Sequence, residues 1–147
     1  YIYVKQDIDD KSSVNFFKKS LKVYKKLGNE WKMAKCLNSI GDVYGLQGNH
    51  EKALDYFQQA LDMFTNLKDK SGISLALGNI GEMYYKQEKY EKAIEYCNKS
   101  LEHAKEIDDQ GIIKWNYETL IETYTKQNDS KNADRYKKLL SGISESK

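Results

Sequence analysis

The stretch SIGDVYGLQGNHEKALDYFQQAL (39–61) returns, altered but recognisable, as NIGEMYYKQEKYEKAIEYCNKSL (79–101), forty residues later. The register extends well beyond these two segments. Leu37, Leu77 and Tyr117 share one position of the repeat, as do Ile40, Ile80 and Leu120. Gly41, Gly81 and Ile121 share another, followed by Tyr44, Tyr84 and Tyr124, and by Ala53, Ala93 and Ala133. Counting backwards, Leu61 meets Leu21, Tyr56 meets Phe16, and Leu67 meets Leu27. No gap is needed, so the chain holds about three repeats preceded by the latter half of another. A period of this length means one supersecondary unit that covers its apolar face by stacking on its neighbours.

Within a unit the spacing is helical. Leu37, Ile40, Gly41 and Tyr44 form one stripe, and Ala53, Phe57, Ala60 and Phe64 form a second. Between them, QGN (47–49) puts Gly48 at a left-handed C-terminal cap and Asn49 at the next N-cap. LKDKSG (67–72) and IDDQG (107–111) form the other class of turn, with Asp69 and Asp109 as caps. The pattern predicts a short helix end over 1–8, then helices near 11–27, 30–47, 50–67, 70–87, 90–107, 110–127 and 130–141. No proline interrupts them. Gly41 with Ala53, and Gly81 with Ala93, are expected where the two helices of a unit approach, with Tyr44 and Phe57 filling the space beside them.

The pattern Leu-x2-Ile-Gly-x2-Tyr, then Ala-x3-Phe and Ala, resembles the tetratricopeptide repeat, with Leu37 or Leu77 where that repeat usually has Trp. The resemblance covers nearly the whole chain. It implies an all-α fold, a right-handed superhelical solenoid of antiparallel helix hairpins. The expected organisation is a single array over 1–147: the latter part of a repeat (1–29), repeats over 30–69 and 70–109, and a C-terminal capping-like repeat over 110–147. The forty-residue period exceeds the usual value of about 34, and the terminal proline is missing. Both resemble the extended-repeat branch of kinesin light chain and bacterial signalling arrays. Ile121 in place of Gly, and Lys137 in place of Phe57, mark the last unit as a cap with a wet outer face.

Composition narrows the chemistry. A net charge of +2, with 31% charged residues, gives no overall footprint for nucleic acid or a membrane surface. No apolar run approaches the roughly 18 residues needed to span a bilayer. Cys36 and Cys97 stand in no metal or redox spacing and read as core residues of a reduced, cytoplasmic protein. The chain begins at Tyr1 inside a helical pattern, which predicts an excised part of a larger protein. His50 and His103 occupy non-equivalent positions and read as solvated. With no Gly-rich phosphate loop and no Ser-His-Asp set, the reading is no enzyme, no metal and no cofactor. NKS (98–100) and NDS (128–130) match the glycosylation pattern by chance.

Lys11, Lys18, Lys19, Lys22, Lys25 and Lys26 have no acid among them up to Leu27. One reading is a basic patch for an acidic partner, or for nucleic acid through Lys18, Lys22 and Lys25. The other is the polar face of an outer helix whose apolar face carries Val14, Phe17, Leu21 and Tyr24. The absence of arginine and of an interleaved aromatic ladder favours the second.

The resemblance also implies a site, because the first helix of each tetratricopeptide unit lines the concave groove. Opposite the apolar stripe stand Lys35, Asn38, Ser39, Asp42 and Leu46 in the first unit. The second offers Leu75, Asn79, Glu82, Tyr85 and Lys86, and the third Trp115, Glu118, Thr119, Glu122 and Lys126. Asp42, Glu82 and Glu122 are equivalent carboxylates. Leu75, Tyr85 and Trp115 add apolar surface and Asn79 an amide able to pair with peptide backbone, the mixture of a peptide-recognition face. The carboxylate clamp of the family needs Lys and Asn where this chain has Asn38 and Asp42, so a partner with basic residues is expected. The function expected is a non-catalytic module that holds a peptide or helix of a partner protein. The alternative is a regulatory sensor segment beside a kinase or cyclase. Tyr1, Ile2, Tyr3 and Val4 are expected to leave apolar surface for end-to-end self-association.

Overall fold

The computed structural model describes the backbone over residues 2–145 and the side chains over 11–143. The described residues form seven helices and no strand. These are α1 (Ile2–Leu27), α2 (Glu30–Leu46), α3 (His50–Asn66), α4 (Lys70–Lys86), α5 (Tyr90–Glu106), α6 (Gln110–Lys126) and α7 (Ser130–Glu145). From α2 to α6 the ends fall within one residue of those the periodicity predicts.

The two chain ends differ from the sequence reading. The helix end expected over 1–8 and the helix expected from 11 are one continuous α1. The register explains why: the counterpart of Gly48 is Ile8, a β-branched residue for which the left-handed conformation is costly. With no glycine or proline at that point, the backbone stays helical. The surface expected from Tyr1, Ile2, Tyr3 and Val4 lies outside the described side chains. At the other end, α7 passes 141 because Gly142 takes helical rather than left-handed backbone.

Each inter-helix turn is built in the same way. Residues 28, 48, 68, 88, 108 and 128 all have positive φ, twenty residues apart. Glycine fills only the first two; Lys68, Glu88, Asp108 and Asn128 adopt the same backbone. After α2, Gly48 N–H donates to Gly45 O at 3.1 Å and Asn49 N–H to Tyr44 O at 2.9 Å. After α4, Glu88 N–H donates to Tyr85 O and Lys89 N–H to Tyr84 O, both at 2.9 Å. These pairs satisfy carbonyls that a helix end leaves open. The next residue is already the N-cap of the following helix. Asn29, Asn49, Asp69, Asp109 and Asp129 each accept a backbone N–H three residues on. Lys89 has no side-chain acceptor to offer, and the N-terminus of α5 lacks that bond.

The chain divides into two compact units, residues 1–72 and 73–147. In the first, α2 packs between α1 and α3. Its buried residues therefore lie on more than one face: Ala34, Cys36, Leu37, Asn38, Ile40, Gly41, Val43 and Gly45. By contrast, α3 buries the single stripe Ala53, Phe57, Ala60 and Phe64. A Cβ at Gly41 would lie 2.6 Å from Phe57 Cε1, so the glycine lets the α3 ring lie flat on α2. Beside it Tyr44 stacks on Tyr56 at 5.6 Å.

The second unit repeats the scheme. Gly81 of α4 backs onto α5, where an added Cβ would meet Cys97 Sγ at 2.8 Å and Ala93 O at 3.3 Å. Tyr84 and Tyr96 pair at 5.4 Å, as Tyr124 and Tyr136 do at 5.8 Å. Between α5, α6 and α7 the core gathers Cys97, Leu101, Ala104, Ile113, Tyr117, Leu120 and Tyr136. Ile121, at the glycine position of the repeat, packs against this cluster, while Lys137 at the Phe57 position is exposed. Both cysteines are buried free thiols, and burial pushes Cys97 up to about 12.

Candidate partner-binding face

The first helices of the units, α2, α4 and α6, were expected to present a broad polar face. The strip they expose is narrower. Asn38 and Asn79 are both buried, each 7% exposed, and Thr119 is buried as well. The exposure expected of these three is corrected accordingly: they lie beneath the exposed strip rather than on it. A helix with neighbours on two sides keeps only a thin outer edge, whereas a single apolar stripe in sequence reports one buried side. Thr119 turns its hydroxyl onto Trp115 O at 3.2 Å, within its own helix.

In the first unit the outer edge of α2 keeps Lys35, Asp42 and Leu46 exposed, with Ser39 half-buried. Periodicity did not single out Trp31, which is exposed one turn before Lys35. Its indole N–H donates to Asp69 Oδ2 at 2.8 Å, while Asp69 Oδ1 caps α4 through Gly72 N–H at 3.2 Å. Lys35 Nζ sits 4.5 Å from the Trp31 ring centroid and Lys32 Nζ 5.4 Å. The indole is thus held flat beneath two cations.

In the second unit the nominated residues meet in pairs. Trp115 of α6 lies against Gly78 of α4, where a Cβ would fall 2.5 Å from Trp115 Cζ3. Gly78 was missed as a site residue. Its signal was present: a glycine inside a helical pattern, away from any turn, marks a close approach. Tyr85 of α4 donates a hydrogen bond to Glu122 of α6. Burial first, then the charge and hydrogen bond of Glu122, push the Tyr85 phenol up. Tyr85 also packs at 6.1 Å from Tyr90. Glu82 and Lys86 pair along α4 at 3.9 Å. Leu75, Lys86, Glu118, Glu122 and Lys126 are exposed, and Glu82, Tyr85 and Trp115 are half-buried.

The result is a supported indole with apolar Leu75 and carboxylates on the same helices. No group of acids, cysteines and histidines among the described residues has the arrangement to hold a metal ion. Among the described residues, no helix is long and apolar enough to cross a membrane. His50 and His103, expected to be solvated, are both half-buried.

Comparison with known proteins agrees with the helical-repeat fold. Family models of the tetratricopeptide repeat match residues 9–66 and 74–106. No curated protein matches the sequence significantly. Among solved structures, BtubC (BKLC) from P. vanneervenii is similar at a TM-score of 0.80 and 18% identity, over 90% of this chain and 56% of that one. A Rap protein complexed with competence and sporulation factor is similar at 0.86 and 21% identity, over 92% of this chain and 38% of that one. A signal-transduction ATPase with a tetratricopeptide repeat sensor, from Pyrococcus horikoshii, is similar at 0.84 and 25% identity, over 93% of this chain and 21% of that one. The chain thus spans little more than half of the first of these structures, and less of the other two.

Proposed function

Because the chain belongs to the tetratricopeptide repeat family, we propose that it is a non-catalytic module that binds a peptide or helical segment of a partner protein along the outer edges of its first helices. The observation that carries this reading is Trp115 lying on Gly78, a large ring kept half-exposed on a glycine seat. Aromatic anchors of this kind dominate interface energies, with polar neighbours setting register. The neighbours here are Glu118 and the Tyr85–Glu122 pair. Since Glu122 and Glu82 already have partners within the unit, charge contributes selectivity for Lys or Arg in the ligand more than affinity. Leu75 and Lys86 extend the proposed face, and Lys35 and Asp42 stand on the equivalent edge of the first unit.

The test begins with peptides selected for binding to the chain from a display library, followed by calorimetry on variants. Trp115→Ala is expected to weaken binding at any salt concentration, and Glu82→Lys to weaken it and reduce its salt dependence. Unchanged affinity in both variants would reject the site.

A second reading, a regulatory sensor segment of a larger signalling protein, is favoured by the likeness to the Rap complex and to the ATPase sensor. The full parent sequence tests it, since an adjoining kinase, cyclase or ATPase domain is the expected finding. The buried free thiols Cys36 and Cys97 fit a reducing compartment, so the proposed location is the cytoplasm.

A further inference from the structure

The chain has two tryptophans, and their surroundings differ in sign. Trp31 takes its cations from its own helix, with Lys35 Nζ 4.5 Å and Lys32 Nζ 5.4 Å from the ring centroid. Its indole N–H is engaged as well, by Asp69 Oδ2 at 2.8 Å. Among the described residues, no cation stands over the Trp115 ring and no acceptor meets its indole N–H. One turn on from Trp31 comes Lys35, whereas one turn on from Trp115 comes Glu118. A half-exposed indole beside a carboxylate suits a cation, and here the chain leaves that cation to a ligand.

The partners of the neighbouring acids single out Glu118. Glu122 accepts the Tyr85 hydroxyl, and Glu82 lies 3.9 Å from Lys86 along α4. Glu118 is exposed and has no hydrogen-bond or ion-pair partner among the described residues. Lys114, at i−4 from it, is exposed and is not paired with it.

Geometry separates arginine from lysine at this place. The benzo ring of Trp115 is fixed against Gly78, where a Cβ would meet Cζ3 at 2.5 Å, Cη2 at 3.0 Å and Cε3 at 3.2 Å. Three residues along a helix put the Cβ atoms of Trp115 and Glu118 about 5–6 Å apart. A guanidinium laid on an indole can turn its N–H fork to a carboxylate at that distance. An ammonium has no plane to lay on the ring while it reaches the acid. Leu75, exposed one turn before Gly78 on α4, offers apolar surface to the methylenes of an arginine stem.

We propose that Trp115 and Glu118 form an arginine subsite. The indole stacks on the guanidinium, Glu118 accepts its N–H fork, and Leu75 covers the stem. This rests on the groove reading above and names what the groove selects: a partner segment anchored by arginine in preference to lysine.

The probe is a peptide recovered from a random-sequence display library on the 147-residue chain. Two synthetic versions replace its arginine with lysine or with citrulline, which keeps the planar shape and removes the charge. Recovered peptides are expected to share one arginine position. Calorimetry is expected to show a loss of roughly tenfold with lysine and more with citrulline. Glu118→Gln is expected to cost the arginine peptide roughly tenfold and the citrulline peptide little, so that the two changes do not add. The position is exposed, and circular dichroism checks that the variant stays helical. Peptides with no shared arginine, a lysine version of equal affinity, or strict additivity would overturn the proposal. Trp115→Ala separates its failure from that of the groove. If that variant weakens binding while Glu118→Gln and the lysine version do not, the groove stands and the arginine subsite falls. Recovery of no peptide, or indifference to both substitutions, would remove groove and subsite alike.

Discussion

Asn116 donates its Nδ2 hydrogen to Ser100 Oγ at 2.7 Å, and both residues are almost wholly buried. Ser100 in turn donates to Ser74 O at 2.6 Å, so one polar chain ties α4, α5 and α6 together. The register counterparts of Ser100 and Asn116 one repeat earlier are Ala60 and Ala76. The fold therefore tolerates alanine at both positions together. Replacing either residue alone leaves a buried group short of a partner, at a cost of about 1–3 kcal/mol. Ser100→Ala and Asn116→Ala are each expected to destabilise in urea unfolding. The double variant is expected to cost less than the sum of the two. Strict additivity would show that the chain does not act as a unit.

Gly81 is a packing position rather than a turn. A Cβ there would lie 3.2 Å from Cys97 N and 3.3 Å from Ala93 O, main-chain atoms that cannot step aside. Gly81→Ala is expected to cost about 1–3 kcal/mol. Ile121→Gly, at the equivalent place on α6, should instead open a cavity beside the α5–α7 cluster. An unchanged melting temperature for Gly81→Ala would show that the contact between α4 and α5 is looser than described.

The turn between α4 and α5 is the weakest of the six. Glu88 holds the left-handed conformation that glycine holds at 28 and 48, and Lys89 provides no side-chain cap. Glu88→Gly removes a backbone strain of about 1–2 kcal/mol, less the extra freedom that glycine gives the unfolded chain. Lys89→Asp restores a cap that contributes typically about 1 kcal/mol. Both substitutions are expected to raise the denaturation midpoint. A loss of stability from Lys89→Asp would mean that the lysine has a role at this turn beyond capping.

Stability should fall at alkaline pH. Burial raises Cys97 from 9.0 to about 12, and Tyr85 is raised as well. A folded-state pKa above the unfolded value means that stability is complete below the unfolded pKa and lost as pH rises toward the folded one. Unfolding free energy is thus expected to hold up to about pH 8 and to decline above it. Cys97→Ala should flatten part of the decline. Thiol labelling of native protein at neutral pH should proceed only at the rate of opening. Rapid labelling of Cys97 in the native state would contradict its burial.

Much of this architecture is legible in the residues. The helix ends from α2 to α6 follow from the period, and the caps at Asn49, Asp69 and Asp109 from their side chains. Gly41 and Gly81 stand out because the same stripe places a glycine where bulk is expected. The proposed binding face is only half legible. A stripe reveals which residues are buried against one neighbour, but α2 has neighbours on two sides, and Asn38 sits on the second. The Tyr85–Glu122 hydrogen bond joins different helices, and no local spacing announces it. Lys68 and Glu88 keep the left-handed conformation though neither is a residue that favours it, because the paired backbone bonds at the turn impose it.

The outer edges of α4 and α6 are the surface proposed to meet the partner. The most direct test is an amide and indole chemical-shift map of the labelled chain, titrated with a peptide selected for binding to it. The indole N–H of Trp115 and the amides around Leu75, Glu82, Glu118 and Glu122 are expected to shift together and to saturate with one affinity. Shifts confined to α3, α5 or α7, with the Trp115 indole unmoved, would contradict it.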